Sequence, residues 1–134
     1  RRVLFRSYGH YYDQVRGLLV NPYNENYYNS TSKAAPTYFF DAETGAALTN
    51  QFFNWEGDWY YFGPDGKALI FDQVINGQHL YFRNNGKQVK GQFISDYKGT
   101  RYYDENSGEL VTNQTRTING VTYLFDENGR PTQL

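Results

Sequence analysis

The chain has 134 residues, with 13 Lys and Arg against 14 Asp and Glu, and a formal net charge of -1 at pH 7. This balance argues against nucleic-acid binding, because phosphate neutralisation needs many Lys and Arg side chains clustered on one surface. The absence of Cys excludes disulfides and thiol chemistry, and no apolar run approaches the roughly 20 residues that a membrane-spanning helix needs.

Aromatic residues dominate the apolar part of the composition. The chain has 14 Tyr and 10 Phe but no Met, and its mean hydropathy of -0.80 indicates a very polar surface. Aromatic side chains must therefore supply most of the buried area. At this length one domain is expected. Because the chain starts at Arg1 with neither Met nor a signal peptide, we expect it to be a piece of a longer polypeptide.

Residues 1–36 are predicted to hold a degenerate first repeat followed by an insertion. Tyr11-Tyr12-Asp13 leads to Gly17 in the manner of the later copies, and the stretch that follows is rich in Asn, Ser, Thr and Pro, as loops are. Residues 37–134 are regular aromatic repeats. We therefore predict a single repeat domain over 1–134 with these two parts.

From residue 37 onward one pattern recurs every 20–22 residues. Each copy has an aromatic strand, a tight turn with a glycine and a short apolar strand, and dipeptides such as Asn76-Gly77 mark a second turn. An isolated hairpin is marginal in water, so the hairpins must stack. We predict an all-β fold, a β-solenoid of stacked two-stranded hairpins, with helix nearly absent. The aromatic strands end in residues 38–41, 60–63, 80–83, 101–104 and 123–126.

Alternation of side chains gives each aromatic strand two faces. The third strand position is aromatic in every copy, and this column is the predicted core. Its members are Phe40, Phe62, Phe82, Tyr103 and Phe125. The return strands should add the apolar side chains of Leu48, Leu69, Val89 and Val111. The other face mixes polar groups with Trp and Tyr, which is typical of a wet surface that carries flat rings.

The exposed face predicts a binding surface for carbohydrate. Sugars have apolar C–H faces and polar rims, so a ring can cover one side while amide and ammonium groups contact the hydroxyls. For any single ring, packing between repeats is an equally good explanation, and the case depends on recurrence at fixed spacing. The candidate residues are Trp59, Tyr61, Tyr81 and Tyr102, with Gln73, Gln92 and Gln114 and with Lys67 and Lys87 after turn glycines.

The sequence does not favour catalysis or metal binding. His10 and His79 have no acidic or nucleophilic partner at a recognisable spacing. Asp residues recur at turn starts, where a carboxylate accepts backbone N–H groups, and residues 126–129 match only part of a calcium loop. We expect no catalytic residue, no metal and no cofactor. The recurring aspartates are Asp13, Asp41, Asp104 and Asp126.

Two segments carry a family resemblance. Residues 74–93 (VINGQHLYFRNNGKQVKGQF) and 117–129 (TINGVTYLFDENG) resemble the aromatic YG-type repeats of glucan-binding domains, the non-catalytic parts of bacterial glucansucrases. The likeness covers residues 37–134.

The resemblance implies a secreted, extracellular module, with cell-wall association as one option. Its partners would be an α-glucan (dextran-like) polysaccharide or oligosaccharide and the catalytic domain of a parent chain, a glucansucrase. By position, it implies ring stacking by Tyr61, Tyr81 and Tyr102, and hydroxyl contacts by Gln73, Gln92, Gln114, Lys67 and Lys87.

Three alternatives stay open. Choline-binding modules that anchor proteins to teichoic acid share the repeat architecture, but a cationic ligand needs a cage of several rings. Trp occurs only at 55 and 59, and Thr100 and Thr122 occupy the column of Trp59, so at most one such cage can form. Toxin-type repeats that bind receptor carbohydrate also look similar. The third alternative is a purely structural or protein-docking rod.

Overall fold

The computed structural model describes the backbone of residues 4–7, 10–13, 18–20, 37–41 and 44–134, and side chains from residue 37 onward within these ranges. The predicted insertion that ends at residue 36 lies outside the described residues. The strands are β1 (Leu4–Ser7), β2 (His10–Asp13), β3 (Leu18–Val20), β4 (Tyr38–Phe39), β5 (Gln51–Trp55), β6 (Asp58–Phe62), β7 (Phe71–Ile75), β8 (Gln78–Phe82), β9 (Gln92–Asp96), β10 (Gly99–Tyr103), β11 (Gln114–Ile118), β12 (Val121–Phe125) and β13 (Pro131–Gln133).

Antiparallel hairpins are the repeated unit of the fold. Strands β5–β6, β7–β8 and β9–β10 form two-stranded sheets, β11–β12–β13 form a three-stranded sheet, and β1 to β4 form a sheet in chain order. The described residues contain no helix. The predicted fold class, an all-β solenoid of repeated two-stranded hairpins, is confirmed.

The chain forms two compact units. Unit 1 comprises Arg1–Ile70 and Phe82–Lys87, and unit 2 comprises Phe71–Tyr81 and Gln88–Leu134. Within each unit, the segment that returns after a turn bonds to the aromatic strand of an earlier copy. The Ala68 N–H donates to the Thr37 carbonyl over 2.8 Å in unit 1, and the Leu110 N–H donates to the His79 carbonyl over 2.9 Å in unit 2. Backbone bonds thus tie one copy to the next inside each unit.

Turn chemistry explains why the chain reverses where it does. In the β7–β8 hairpin, Asn76 (φ 53°) and Gly77 (φ 78°) both have positive φ, the requirement of a type I′ turn, whose twist matches that of the strands. The β9–β10 hairpin turns instead at Tyr97 and Lys98, and the Asp96 carboxylate accepts the Lys98 N–H over 2.9 Å. The β9–β10 turn therefore differs from the β7–β8 turn, and it places the Asp96 side chain at its base.

The core of unit 1 is aromatic, as the composition requires. Tyr60 and Phe62 are buried together with Ala68, and partly buried rings such as Phe39 and Phe53 pack against them. The centroids of the Phe39 and Phe53 rings lie 4.1 Å apart.

Unit 2 has two buried clusters. One contains Val89, Ile94 and Tyr103, and the other contains Tyr102, Val111 and Phe125.

The predicted core column is at most 2% exposed at Phe62, Phe82, Tyr103 and Phe125, whereas Phe40 is only partly buried. Among the predicted return-strand residues, Val89 and Val111 are buried, and Leu48 and Leu69 are partly buried.

Candidate functional site

Unit 2 carries a pair of neighbouring rings, the exposed Phe71 and the partly buried Tyr81, which we call the ring platform. Their centroids lie 6.2 Å apart with the planes tilted by 45°. Phe71 is 48% exposed and Tyr81 is partly buried. The platform therefore offers apolar ring surface to solvent, mainly from Phe71.

Phe71 has an unusual backbone conformation. Its φ is +62°, in the left-handed region that a bulky side chain rarely adopts. In three other hairpins the residue just before the first strand adopts it, and there it is Asn50, Gly91 or Asn113, which suit this region. Phe71 is instead the first residue of its strand. Strain of this kind costs of order 1–3 kcal/mol and is found at ligand-binding positions, which makes Phe71 a candidate for function.

The strand β10 carries a buried arginine. Arg101, the third residue of β10, is 4% exposed. Its Nη1 donates to Asp96 Oδ1 over 2.8 Å and its Nη2 to Asp96 Oδ2 over 3.1 Å, a bidentate pair. Nη2 also donates to Asp72 Oδ1 over 3.4 Å. Arg101 thus joins the β7 strand to the β9–β10 hairpin.

Tyr103 and Lys98 complete the contacts of Asp72. The Tyr103 hydroxyl donates to Asp72 Oδ1 over 3.5 Å, and Lys98 Nζ lies 3.2 Å from Asp72 Oδ2. The Tyr103 ring in turn lies 5.7 Å from the Tyr81 ring. We call Asp72, Asp96, Lys98 and Arg101 the polar cluster, and Tyr103 connects it to the ring platform.

The polar cluster balances its charges. The hydrogen bond from Arg101 lowers the pKa of Asp96 to about 2, and the hydrogen bond to Asp96 raises the pKa of Arg101. The hydrogen bond and charge of Asp72 raise the pKa of Lys98, while burial raises the pKa of the Tyr103 hydroxyl. Two carboxylates thus face two cations. The side chains of Asp72 and Lys98 are 37% and 45% exposed, so the cluster opens to solvent.

The structure places the predicted ring residues in three different environments. Tyr81 belongs to the ring platform. In unit 1, Trp59 is 39% exposed, and Tyr61 is partly buried with its ring edge against Phe52 at 4.8 Å.

Tyr102 differs from the expected exposed position. It is only 5% exposed, and its ring packs against Phe93 at 4.9 Å and Phe125 at 6.2 Å. Alternation places it opposite Tyr103, but in this hairpin both faces are covered, because Val111 and Phe125 close over the second face. The expectation of a ring on the wet face was wrong for this residue.

The predicted glutamines do not form one column. Gln51, Gln92 and Gln114 begin their strands, whereas Gln73 lies in the middle of β7 and Phe71 takes the first place. Gln114 Nε2 donates to the Thr112 carbonyl over 3.2 Å, and its Oε1 accepts from Arg116 Nε over 3.0 Å. The amide of Gln114 thus supports the local backbone.

The predicted lysines lie in unit 1. Lys87 pairs with Asp58 at 3.3 Å, with both side chains nearly half exposed. Lys67 is exposed, and its N–H donates to Asp65 Oδ1 over 3.0 Å.

The recurring turn aspartates accept backbone N–H groups, as the sequence indicates. Asp104 Oδ1 accepts from Asn106 over 2.7 Å and from Ser107 over 2.8 Å, and Arg116 Nη2 lies 2.8 Å from its Oδ2. These bonds, that from Ser107 foremost, hold the pKa of Asp104 far below its ordinary range. Asp41 and Asp126 accept backbone N–H groups in the same way.

Sequence reasoning missed Phe71, Asp72, Lys98 and the role of Arg101. One signal was available for Arg101: a charged side chain occupies the strand position that Tyr60, Leu80 and Tyr123 fill in the other copies, on the same face as the predicted core column. A buried arginine requires carboxylate partners.

Two further features bear on function. In the part of the chain that the structure describes, no three His, Cys, Asp or Glu side chains are grouped to hold a metal ion. Within the same ranges no helix has the length and apolar character to cross a membrane.

Comparisons with known proteins identify the repeats. Residues 73–114 match the model of a choline-binding repeat, and residues 50–68 match that of a putative cell wall binding repeat. Glucosyltransferase-I of Streptococcus downei is 45% identical over 101 residues, which is 74% of this chain and 6% of that protein. Glucosyltransferase-S of Streptococcus mutans is 42% identical over 132 residues, 96% of this chain and 8% of that protein. The chain therefore spans less than a tenth of these relatives.

Solved structures share the fold. Choline binding protein F of Streptococcus pneumoniae superposes with a TM-score of 0.61 at 23% identity, covering 98% of this chain and 45% of that one. An alternansucrase in complex with isomaltononaose superposes with a TM-score of 0.53 at 22% identity, covering 98% of this chain and 13% of that one.

The matched family models describe binding repeats, so residues 50–68 and 73–114 belong to a repeat binding domain, as predicted. The resemblance to glucansucrase repeats is confirmed as well. Residues 50–68 and 73–114 are repeats of the cell wall-binding and choline-binding type, and the chain is homologous to a segment of streptococcal glucosyltransferases.

Proposed function

We propose that this chain is a non-catalytic carbohydrate-binding module that holds α-glucan (dextran-like) chains, and that the ring platform and polar cluster of unit 2 form one of its sites. The observation that carries the proposal is the connection of the ring platform to a charge-balanced polar cluster through Tyr103. Rings cover the C–H face of a glucose unit, and Asp72 and Lys98 accept from and donate to its hydroxyls.

Charge balance favours a neutral sugar over a choline-type cation. A quaternary ammonium group is bound by several ring faces and by negative potential. Around Asp72 and Asp96, the two negative charges are offset by Arg101 and Lys98. A cation gains little from such a cluster, whereas hydroxyl groups can use both its donors and its acceptors.

The homology supports the same ligand class. The glucosyltransferases that match at 42–45% identity bear a name for glucosyl transfer. We propose that the parent protein is a secreted glucansucrase, located outside the cell or at the cell wall, and that its catalytic domain is the covalent partner of these repeats.

Isothermal titration with isomalto-oligosaccharides tests the proposal. Weak single sites, with Kd on the order of 1 mM, are expected, and they would add through multivalency along one polymer. Phe71→Ala should abolish the heat assigned to the unit 2 site. Leu124→Ala is the matched control, since Leu124 is 47% exposed against 48% for Phe71, and it should leave binding unchanged. Equal binding by both variants would remove the ring platform from the proposal.

A choline anchor is the second candidate, because residues 73–114 match a choline-binding repeat. Retention of the wild-type chain on a choline-type resin, with elution by free choline, would favour it. The glucan proposal predicts flow-through on this resin.

A further inference from the structure

Arg101 occupies a strand position at which the other copies have no arginine. It is the third residue of β10, and the third residues of β6, β8 and β12 are Tyr60, Leu80 and Tyr123. Tyr60 and Leu80 are 5% and 2% exposed. A tyrosine or leucine side chain thus fills this position in neighbouring copies, so packing alone does not require an arginine there.

The two carboxylates depend on Arg101 for their neutralisation. Asp96 Oδ1 and Oδ2 both accept from its guanidinium, and Asp72 Oδ1 accepts from its Nη2. Lys98 contacts Asp72 Oδ2. Without Arg101, two negative charges would remain with one exposed cation, next to the ring platform.

Ring faces beside excess negative charge bind a quaternary ammonium group, and the site without Arg101 would have both features. The arrangement present in the chain is different. Arg101 and Tyr103 hold Asp72 Oδ1 in place while the Asp72 side chain stays 37% exposed. A carboxylate that is held in place and whose charge is balanced accepts hydrogen bonds from hydroxyl groups without attracting a cation.

We propose that Arg101 is the specificity-determining residue of this site, a positioning residue that fits it for a neutral polyhydroxylated ligand and prevents choline-type cations from binding. The inference rests on the proposed carbohydrate function. It adds the prediction that loss of one buried charge changes the ligand class.

Isothermal titration of the whole chain with isomalto-oligosaccharide and, separately, with choline chloride tests this. The wild type should bind the sugar and not choline. Arg101→Leu, which installs the residue of β8, should lose about tenfold in sugar affinity, the scale of one charge-assisted hydrogen-bonded contact, and should gain choline binding. Arg101→Lys keeps the charge and should still exclude choline.

Arg116→Leu is the matched control, because it also removes an arginine paired with an aspartate in unit 2, at 2.8 Å from Asp104. It should change neither titration. Circular dichroism confirms the fold of each variant, and Arg101→Tyr, which installs the residue of β6, replaces Arg101→Leu if the latter does not fold.

The outcomes separate the two proposals. A folded Arg101→Leu chain that binds sugar as the wild type does, or that gains no choline binding, overturns the role of Arg101. Choline binding by the wild type overturns it too. If the wild type binds no sugar but Arg101→Leu gains choline, the carbohydrate function fails while the exclusion of cations by Arg101 stands.

Discussion

Arg101 and Asp96 form a bidentate ion pair inside one hairpin, with Nη1 to Oδ1 at 2.8 Å and Nη2 to Oδ2 at 3.1 Å. Arg101 is 4% exposed, while the side chain of Asp96 is 25% exposed. The guanidinium group of Arg101 is therefore buried in unit 2, while its carboxylate partners Asp96 and Asp72 are partly exposed.

Stability should depend on how Arg101 is replaced. Arg101→Ala leaves a cavity and removes the partner of two carboxylates, so we expect it to lower the free energy of unfolding by about 3–5 kcal/mol. Arg101→Leu fills the position as Leu80 does and should cost clearly less. Urea denaturation of both variants measures the difference, and equal losses would contradict this account of the position.

The loss of folding stability at acid pH should depend on Asp96. Its pKa in the folded chain is about 2, below the ordinary 3.8, chiefly because of the hydrogen bond from Arg101. A lowered folded pKa contributes stability above the unfolded value, and this contribution is lost as pH falls through the folded pKa. Asp96→Asn should therefore lose less stability than the wild type between about pH 4 and pH 2.

Thermal unfolding across this range checks the prediction. Asp104 has a strongly lowered pKa as well, but it is present in both chains, so the difference between them isolates Asp96. Parallel curves for the two chains would show that Asp96 is not stabilised by Arg101.

Phe71 should lower the stability of the folded chain while it strengthens sugar binding. Because its φ of +62° disfavours a bulky side chain, Phe71→Asn, which introduces a residue type that tolerates positive φ, should stabilise the chain by about 1 kcal/mol. The same change removes half of the ring platform and should weaken sugar binding. Phe71→Tyr is the control, since it keeps both the ring and the strain. A Phe71→Asn chain that is less stable than the wild type would show that the ring, not the backbone, dominates at this position.

Tyr102 should behave as a core residue. Its ring packs against Phe93 and Phe125, so Tyr102→Ala should lower the free energy of unfolding by about 3 kcal/mol or more. Tyr61→Ala, at a partly buried ring, should cost less. Urea denaturation distinguishes them, and a nearly neutral Tyr102→Ala would favour the exposed position that the sequence pattern predicts.

The sequence predicts the repeated parts of this fold because they follow local rules. The core positions at Phe62, Phe82, Tyr103 and Phe125 come from the two-residue period of a strand, and the turn at Asn76-Gly77 comes from residues that accept positive φ. Both rules act over a few residues and need no knowledge of distant partners.

The polar cluster could not be predicted in the same way. Asp72 and Arg101 are 29 residues apart in the chain, and alternation does not say which side chains meet across copies. Tyr102 was assigned to the wrong environment for the same reason, since Phe125, which covers it, belongs to the next hairpin. Phe71 was overlooked because spacing from the turn glycine favours Gln73, whereas the strand begins at Phe71.

Affinity electrophoresis through gels that contain dextran tests glucan binding by the ring platform most directly. The wild-type chain should be retarded relative to a dextran-free gel, Leu124→Ala should be retarded equally, and the Phe71→Ala, Tyr81→Ala double variant should be retarded less. An unretarded wild type, or a double variant retarded as strongly as the wild type, would contradict it.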